Sequence, residues 1–302
     1  MRDNGGGRAN VDLTVVTPSY GYAHYLPDAV DSVAGQRGIT VEHVIQDGGS
    51  TDGTVELLER LGDAVEWVSE PDDGQSDALN RAIARAHGRW IAWLNADEFY
   101  LPDGLAALVA EGERTGADVV YGDTLFCDGE GRLTRLLPQH RFSPFVLRSY
   151  GCYISTVSSI VRRTTLGAQP IDASMRRMMD WDLYLRLLAE DAAFRHVPVP
   201  VGVFRAHDTR VTATERRGFF QRLNRGDGFG REYDMVRERY GAMRARRLGH
   251  LAHGALKVAD GAYARQLRAR RLEGAELRWF RSEAAVRDWE RVSAGCYPTR
   301  DR

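Results

Sequence analysis

Three short stretches of this chain carry side chains that could do chemistry. Asn95-Ala96-Asp97-Glu98 follows directly on the apolar run Trp90-Ile91-Ala92-Trp93-Leu94. A carboxylate at the carboxyl end of a buried strand is well placed to hold a hard divalent cation, which takes oxygen ligands and is often shared with substrate phosphates. Such a cation offsets diphosphate charge and stabilises a departing nucleotide. The same four residues could instead form a turn that caps the following helix. Asp180 opens the amphipathic run Asp180-Trp181-Asp182-Leu183-Tyr184-Leu185-Arg186-Leu187. Its carboxylate could deprotonate a hydroxyl as a general base, or act only as a helix cap. Asp182 lies two residues on and points elsewhere on the helix, so the two need not act as a pair. His207, in Phe204-Arg205-Ala206-His207, could reach a metal or a diphosphate. An isolated His after a strand is, however, more often structural.

Two further stretches could meet a ligand through backbone and aromatic groups. In Asp47-Gly48-Gly49-Ser50-Thr51-Asp52-Gly53 the glycines let the backbone approach a ligand closely. Asp47 could hydrogen-bond a base or ribose, and the stretch could equally be a turn with Ser50, Thr51 or Asp52 as N-cap. In Thr17-Pro18-Ser19-Tyr20 the aromatic could lie against a nucleobase, or be a partly buried turn residue. No Gly-x-Gly-x-x-Gly follows the first expected strand, so a dinucleotide site is poorly supported. A Gly-Lys-Ser/Thr phosphate loop is also absent from the sequence.

The elements that must position these groups are legible from periodicity. Residues 13–17, 41–45, 65–68, 90–94 and 119–121 read as strands, because they are short, β-branched or aromatic, and bounded by turn residues. Residues 26–33, a segment with Val55, Leu57, Leu58 and Leu61 on one side, 77–86, and a stretch from Pro102 to about Thr115 read as helices. The alternation predicts an α/β fold with a parallel sheet, whose ligands sit at the carboxyl ends of the strands. The polar stretches after the first, second and fourth strands fall at that edge. Beyond them, residues 124–126 and 133–137 flank Asp128-Gly129-Glu130-Gly131 as a hairpin. A helix is expected from about Asp180 to Glu190, and one or two strands over 197–204.

Composition bounds the class. The chain has 302 residues, 41 basic and 42 acidic, for a net charge of −1. Nothing there suggests a nucleic-acid partner. The charge is unevenly placed: 21 basic and 12 acidic residues lie from Glu215 onward, against 20 and 30 before it. Cys127, Cys152 and Cys296 form neither a disulfide framework nor a zinc pattern. Residues 1–10 lack the layout of a signal peptide, and no apolar run reaches the ~18 residues of a membrane span. A cytoplasmic protein is expected.

Taken together in this order, the stretches resemble the family 2 glycosyltransferases with the GT-A fold. The resemblance rests on Val15-Val16-Thr17-Pro18-Ser19-Tyr20, the Asp47 to Thr54 stretch, and Ser69-Glu70-Pro71-Asp72-Asp73-Gly74-Gln75-Ser76-Asp77-Ala78-Leu79-Asn80. It continues through Leu94-Asn95-Ala96-Asp97-Glu98 at the place of that family's Asp-x-Asp metal motif, the Asp180 helix, and the late His segment. It covers roughly residues 11–212. It implies a Rossmann-like, mostly parallel sheet flanked by helices, with a helical extension. It also implies that Pro18, Tyr20 and Asp47 contact the nucleoside, and that Gly74, Gln75, Asp77 and Arg81 line the base and ribose side. Asn95 and Ala96 would lie near the ribose or metal, and Asp97 would hold the cation. Asp180 would be the base, with Trp181 and Asp182 on the acceptor side and His207 a metal or diphosphate contact. One departure matters: the first acid of the metal motif is Asn95 here, which keeps an acceptor oxygen but loses the charge.

The expected function is that of an inverting, hexosyl-type glycosyltransferase. It would use Mn2+ or Mg2+ and a nucleotide-sugar donor, a UDP- or dTDP-sugar on the resemblance. The acceptor would be a glycan, lipid, natural product or protein. The alternative is a nucleotide-sugar-binding or scaffolding module whose catalysis has decayed, a reading kept open by Asn95. The expected organisation is a polar N-terminus over residues 1–10 and a catalytic domain over 11–212. That domain divides into a nucleotide-sugar half, 11–122, and an acceptor half, 123–212. A helical, Arg-rich region follows over 213–302. It could serve as a lid, a dimer contact or a peripheral membrane patch, or be a solvated helical face.

Overall fold

The computed structural model describes residues 11–207 and 228–277. The expected starts of the chain and of the C-terminal region, and Cys296, lie outside those residues. The first half builds a βα alternation: β1 (Leu13–Ser19), α1 (Leu26–Ala34), β2 (Val41–Asp47), α2 (Thr54–Leu61), β3 (Glu66–Ser69), α3 (Gln75–Ala84) and β4 (Trp90–Trp93). These four strands pair in parallel, in the order β3-β2-β1-β4. All seven residues of β1 are buried, as expected for a central strand covered on both faces.

The second half adds β5 (Phe99–Tyr100), α4 (Gly104–Thr115), β6 (Val119–Cys127), β7 (Leu133–Leu137), α5 (Pro144–Ser149), β8 (Ser159–Arg162), α6 (Arg163–Leu166), α7 (Met179–Ala189) and β9 (Phe194–Arg205). Here the sheet is mixed. Antiparallel β8 slots between β4 and β6, a strand too short to stand out in the sequence. β6 and β7 form the expected hairpin. β9 is one strand carrying both Pro198 and Pro200. It runs parallel to β6 with register shifts around Asp123, which accommodate residues that cannot donate to the ladder. Pro102 lies just ahead of α4 rather than at its first turn, and Asp103, with φ of 64°, makes the entry.

Helices Gly228–Tyr240, Arg246–Ala259 and Ala262–Ala269 follow. They are not a separate unit. Tyr233, Val236, Ala242 and Met243 join the apolar cluster that holds α7. Ala269, Leu272 and Leu277 pack with β5, β6, β7 and β9. Asp123, fully buried, pairs with Arg265 at 2.8 Å and His196 at 3.1 Å. Among the described residues no helix is long and apolar enough to cross a membrane.

Candidate active site

Topology gathers the chemistry at one edge. The Asn95–Glu98 turn connects β4 to β5, and β5 pairs with β9 through Phe99↔Val203 and Tyr100↔Gly202. That pairing brings the end of β9 back to the turn. The Asp97 carboxylate, 3% exposed, lies 2.9 Å from His207 Nε2. The Arg205 guanidinium donates to the Asp97 carbonyl at 3.1 Å, to Asp28 at 2.6 Å and to the Gly129 carbonyl at 3.1 Å. The Tyr25 ring flanks His207 at 4.5 Å. The carboxylate and imidazole are thus set by two strands and a buried arginine.

Asn95 is used differently. Its carbonyl oxygen accepts from Gln75 Nε2 at 2.7 Å and from the Trp93 indole at 2.9 Å, and its amide donates to Glu98 at 3.1 Å. It ties the turn to the start of α3, while Ala96 is buried in the core. The glycine that opens α3, Gly74, has φ of 103°, a conformation that side chains oppose. Further along α3, Ser76 bonds the Met175 carbonyl and Asn80 exchanges two bonds with Ile171. α3 therefore holds the segment that leads into α7. Ser76 also bonds Met179 Sδ at 3.3 Å, and its neighbour Gln75 bonds Asn95, so the start of α3 touches both α7 and the β4–β5 turn.

Asp180 stands at the start of α7, half-buried, accepting from the Trp181 N–H at 2.7 Å. Burial raises its carboxyl above the usual carboxylate value, and the hydrogen bond from the Trp181 N–H partly offsets this. A carboxylate so tuned holds a proton more readily than one in water, which suits a general base.

The structure also shows what holds the other candidate residues. Asp47 is 0% exposed and accepts from the Gly49 and Ser50 N–H groups and the Ser50 and Ser69 hydroxyls. These bonds organise its own loop. Ser50 and Asp52 then hold the loop after β1, through the Gly21 and Ala23 N–H groups. Pro18 lies inside β1 with its ring buried, not at its end. The Val16 carbonyl accepts from Leu94 at the end of β4. Pro18, two residues on, faces the same side past the end of that pairing, where its missing N–H costs nothing. Tyr20 is 70% exposed and free to meet a ligand face. Arg81 is spent on Glu70, Asp77 and the Pro71 carbonyl, so with Asp77 it braces the loop ahead of α3. Trp181 is 3% exposed and donates to the Leu147 carbonyl at 2.9 Å, so it is core rather than a sugar platform. Asp182 is buried against Arg239 at 2.8 Å.

Helix Gly228–Tyr240 supplies what the sequence did not signal. Glu232, 7% exposed, accepts from the N–H groups of Arg176, Arg177 and Met178 at 3.0, 2.9 and 3.0 Å. A carboxylate here satisfies donors ahead of α7 and complements the helix dipole. Glu232→Ala leaves three N–H groups without that partner. A loss of about 2–4 kcal/mol in urea unfolding is expected, given ~1.5–3 kcal/mol for a hydrogen bond to a charged group and poor additivity. An unchanged unfolding midpoint would count against the brace.

The Asp97 carboxylate and the His207 imidazole, hydrogen-bonded to each other at 2.9 Å, are of the types that could hold a divalent cation in place of that bond. One carboxylate and one imidazole leave most of the shell to diphosphate oxygens and water, and suit Mn2+ as well as Mg2+. Among the described residues the one cluster of three potential ligands is Glu42, Glu66 and His87, at the amino ends of the strands. Glu42 is already taken up by Thr14 and His87, and Glu66 faces Arg85.

A mixed α/β sheet with its polar groups gathered at the ends of β4 and β9 defines a GT-A-type glycosyltransferase fold. The chain belongs to glycosyl transferase family 2, whose sequence model matches residues 14–183. It is 31% identical over 203 residues to a PGL/p-HBAD biosynthesis glycosyltransferase of Mycobacterium bovis, covering 62% of this chain and 75% of that relative. It is 25% identical over 204 residues to the chondroitin synthase of Pasteurella multocida, covering 61% of this chain and 20% of that one. Among solved structures it is similar to residues 1–349 of S. aureus TarS in complex with UDP (TM-score 0.54, 16% identity), over 66% of this chain and 61% of that one. It is also similar to the mannosyltransferase PcManGT of Pyrobaculum calidifontis in complex with GDP-Man and Mn2+. There the TM-score is 0.53 and the identity 18%, over 95% of this chain and 85% of that one.

Proposed function

We propose that the protein is an inverting glycosyltransferase that moves a sugar from a UDP- or dTDP-sugar to an acceptor hydroxyl with a divalent cation, Mn2+ or Mg2+. The observation that best supports this reading is the start of α3, which bonds both Met179, beside Asp180, and Asn95, in the turn that carries Asp97. Asp180, whose pKa is raised by burial, is proposed as the base, and the Asp97–His207 pair as the cation site. Asp180 takes the proton of the acceptor hydroxyl as that oxygen forms the new bond to the anomeric carbon, and the nucleoside diphosphate leaves from the opposite face. Asp97 and His207 would hold the cation, which when bound would offset the charge that collects on the leaving diphosphate. Tyr20 offers an exposed ring to the nucleobase, and the Gly74–Gln75 entry to α3 lies beside the turn that carries Asp97. The nucleotides named with TarS and PcManGT, UDP and GDP-Man, are consistent with a nucleoside-diphosphate donor here.

A melting-temperature panel of nucleotide sugars with and without Mn2+ tests this directly. At 100 times its Kd a bound donor adds ~2.7 kcal/mol. In a chain of this size that is a rise of roughly 4 °C. The reading requires at least one nucleotide diphosphate to give such a rise with metal and a smaller one without it. A flat panel sinks it.

A further inference from the structure

Helix Arg246–Ala259 is mounted with its apolar side outward. Gly249, His253 and Lys257, spaced four apart, are its buried residues. Leu248 is 60% exposed, Leu251 70% and Val258 68%, with Ala255 and Ala259 exposed beside them. At 100° per residue these five and Arg247 fall within one third of the helix circumference, opposite the buried stripe. The mounting is enforced by packing. A Cβ on Gly249 would lie 2.5 Å from the backbone of Ser149 at the end of α5, so only this glycine lets the two helices approach. His253 Nδ1 is 2.9 Å from His140 Nε2, and its ring stacks on Tyr150 at 4.0 Å. Rotating the helix to bury its leucines would break all three contacts.

An outward apolar stripe needs an occupant, and charge indicates which. From Arg244 to Leu272 there are eight basic residues and one acid, Asp260. Lys257 and Arg265 are buried, while Arg244, Arg247, Arg268, Arg270 and Arg271 are exposed. Asp260 is engaged by Arg141. Helix Ala262–Ala269 continues with Tyr263 at 49% and Leu267 at 64% exposure. Two copies meeting through this face would bring their arginines together. Exposed leucines with arginines around them instead match the boundary of a bilayer, where apolar side chains enter the acyl region and guanidinium groups stay with anionic headgroups.

We propose that the outward face of helix Arg246–Ala259, with the arginines beside it, docks this enzyme on an anionic phospholipid surface. The inference does not depend on the donor or the metal. Flotation of the full chain with phosphatidylcholine vesicles, with and without about one third phosphatidylglycerol, tests it. The wild type should float with the anionic vesicles, poorly with neutral ones, and about tenfold less well when salt is raised to screen the headgroups. L251E/V258E changes only exposed positions and should lose most of the flotation, as should R247E/R271E. Both should keep the wild-type melting temperature and donor hydrolysis rate. Failure of the wild type to float on anionic vesicles overturns the proposal, as does flotation that the variants leave unchanged. A dimer in solution that L251E/V258E dissociates would also overturn it, by assigning the face to a second copy.

Discussion

Asp180→Asn should lower kcat by roughly 10²–10⁴-fold, the usual worth of a positioned general base. Donor affinity should stay within about twofold, because the change removes an interaction made in the transition state rather than in the bound ground state. Asparagine keeps the size of the side chain and an oxygen that can accept from the Trp181 N–H, so the fold should tolerate it. The pH profile supplies a second readout. A base works only when ionised, and burial raises the Asp180 pKa. The acid limb of kcat/KM should therefore fall off at a higher pH than an ordinary carboxylate would give. Near-wild-type turnover in Asp180→Asn, measured with saturating donor and acceptor, would remove Asp180 from the role.

The second large effect belongs to Asp97. Asp97→Ala should reduce kcat/KM on the order of 10²-fold or more, the equivalent of the several kcal/mol a cation contributes at a leaving diphosphate. It should also abolish the difference between nucleotide affinities measured with and without Mn2+. The fold has reason to survive, because Arg205 grips the Asp97 carbonyl rather than its carboxylate. Titration calorimetry that found the same metal-dependent gain in the variant would place the cation elsewhere.

The first four strands and their helices were legible because each is a short periodic segment bounded by glycine, proline or a cap, and parallel pairing follows from that alternation. β8 was not, since four residues give no periodicity, and its place between β4 and β6 is decided by pairing far along the chain. The turn at Asn95-Ala96-Asp97, proposed here to meet the ligand, was legible as a turn because it follows an apolar strand. What the types could not reveal is direction. Asp47, Trp181 and Asp182 have the chemistry of site residues but point into the protein. A carboxylate that organises a loop and one that meets a ligand look alike until their hydrogen bonds are known. Glu232 was invisible for a related reason. It sits in an ordinary charged helix, and its work is done on backbone N–H groups more than fifty residues away.

The return of β9 to the β4–β5 turn also sets when the site comes into being. Asp97 and His207 are 110 positions apart, and Arg205 reaches Asp28 across 177. Contacts of such separation close late, because the entropy of a long loop must be met before they form. As the chain leaves the ribosome, the first strands emerge well before β9, and the Asp97–His207 pair waits for that strand to dock. On the proposed reading, a nascent chain has no completed pair with which to trap a metal ion, and cation affinity would report that the sheet has closed.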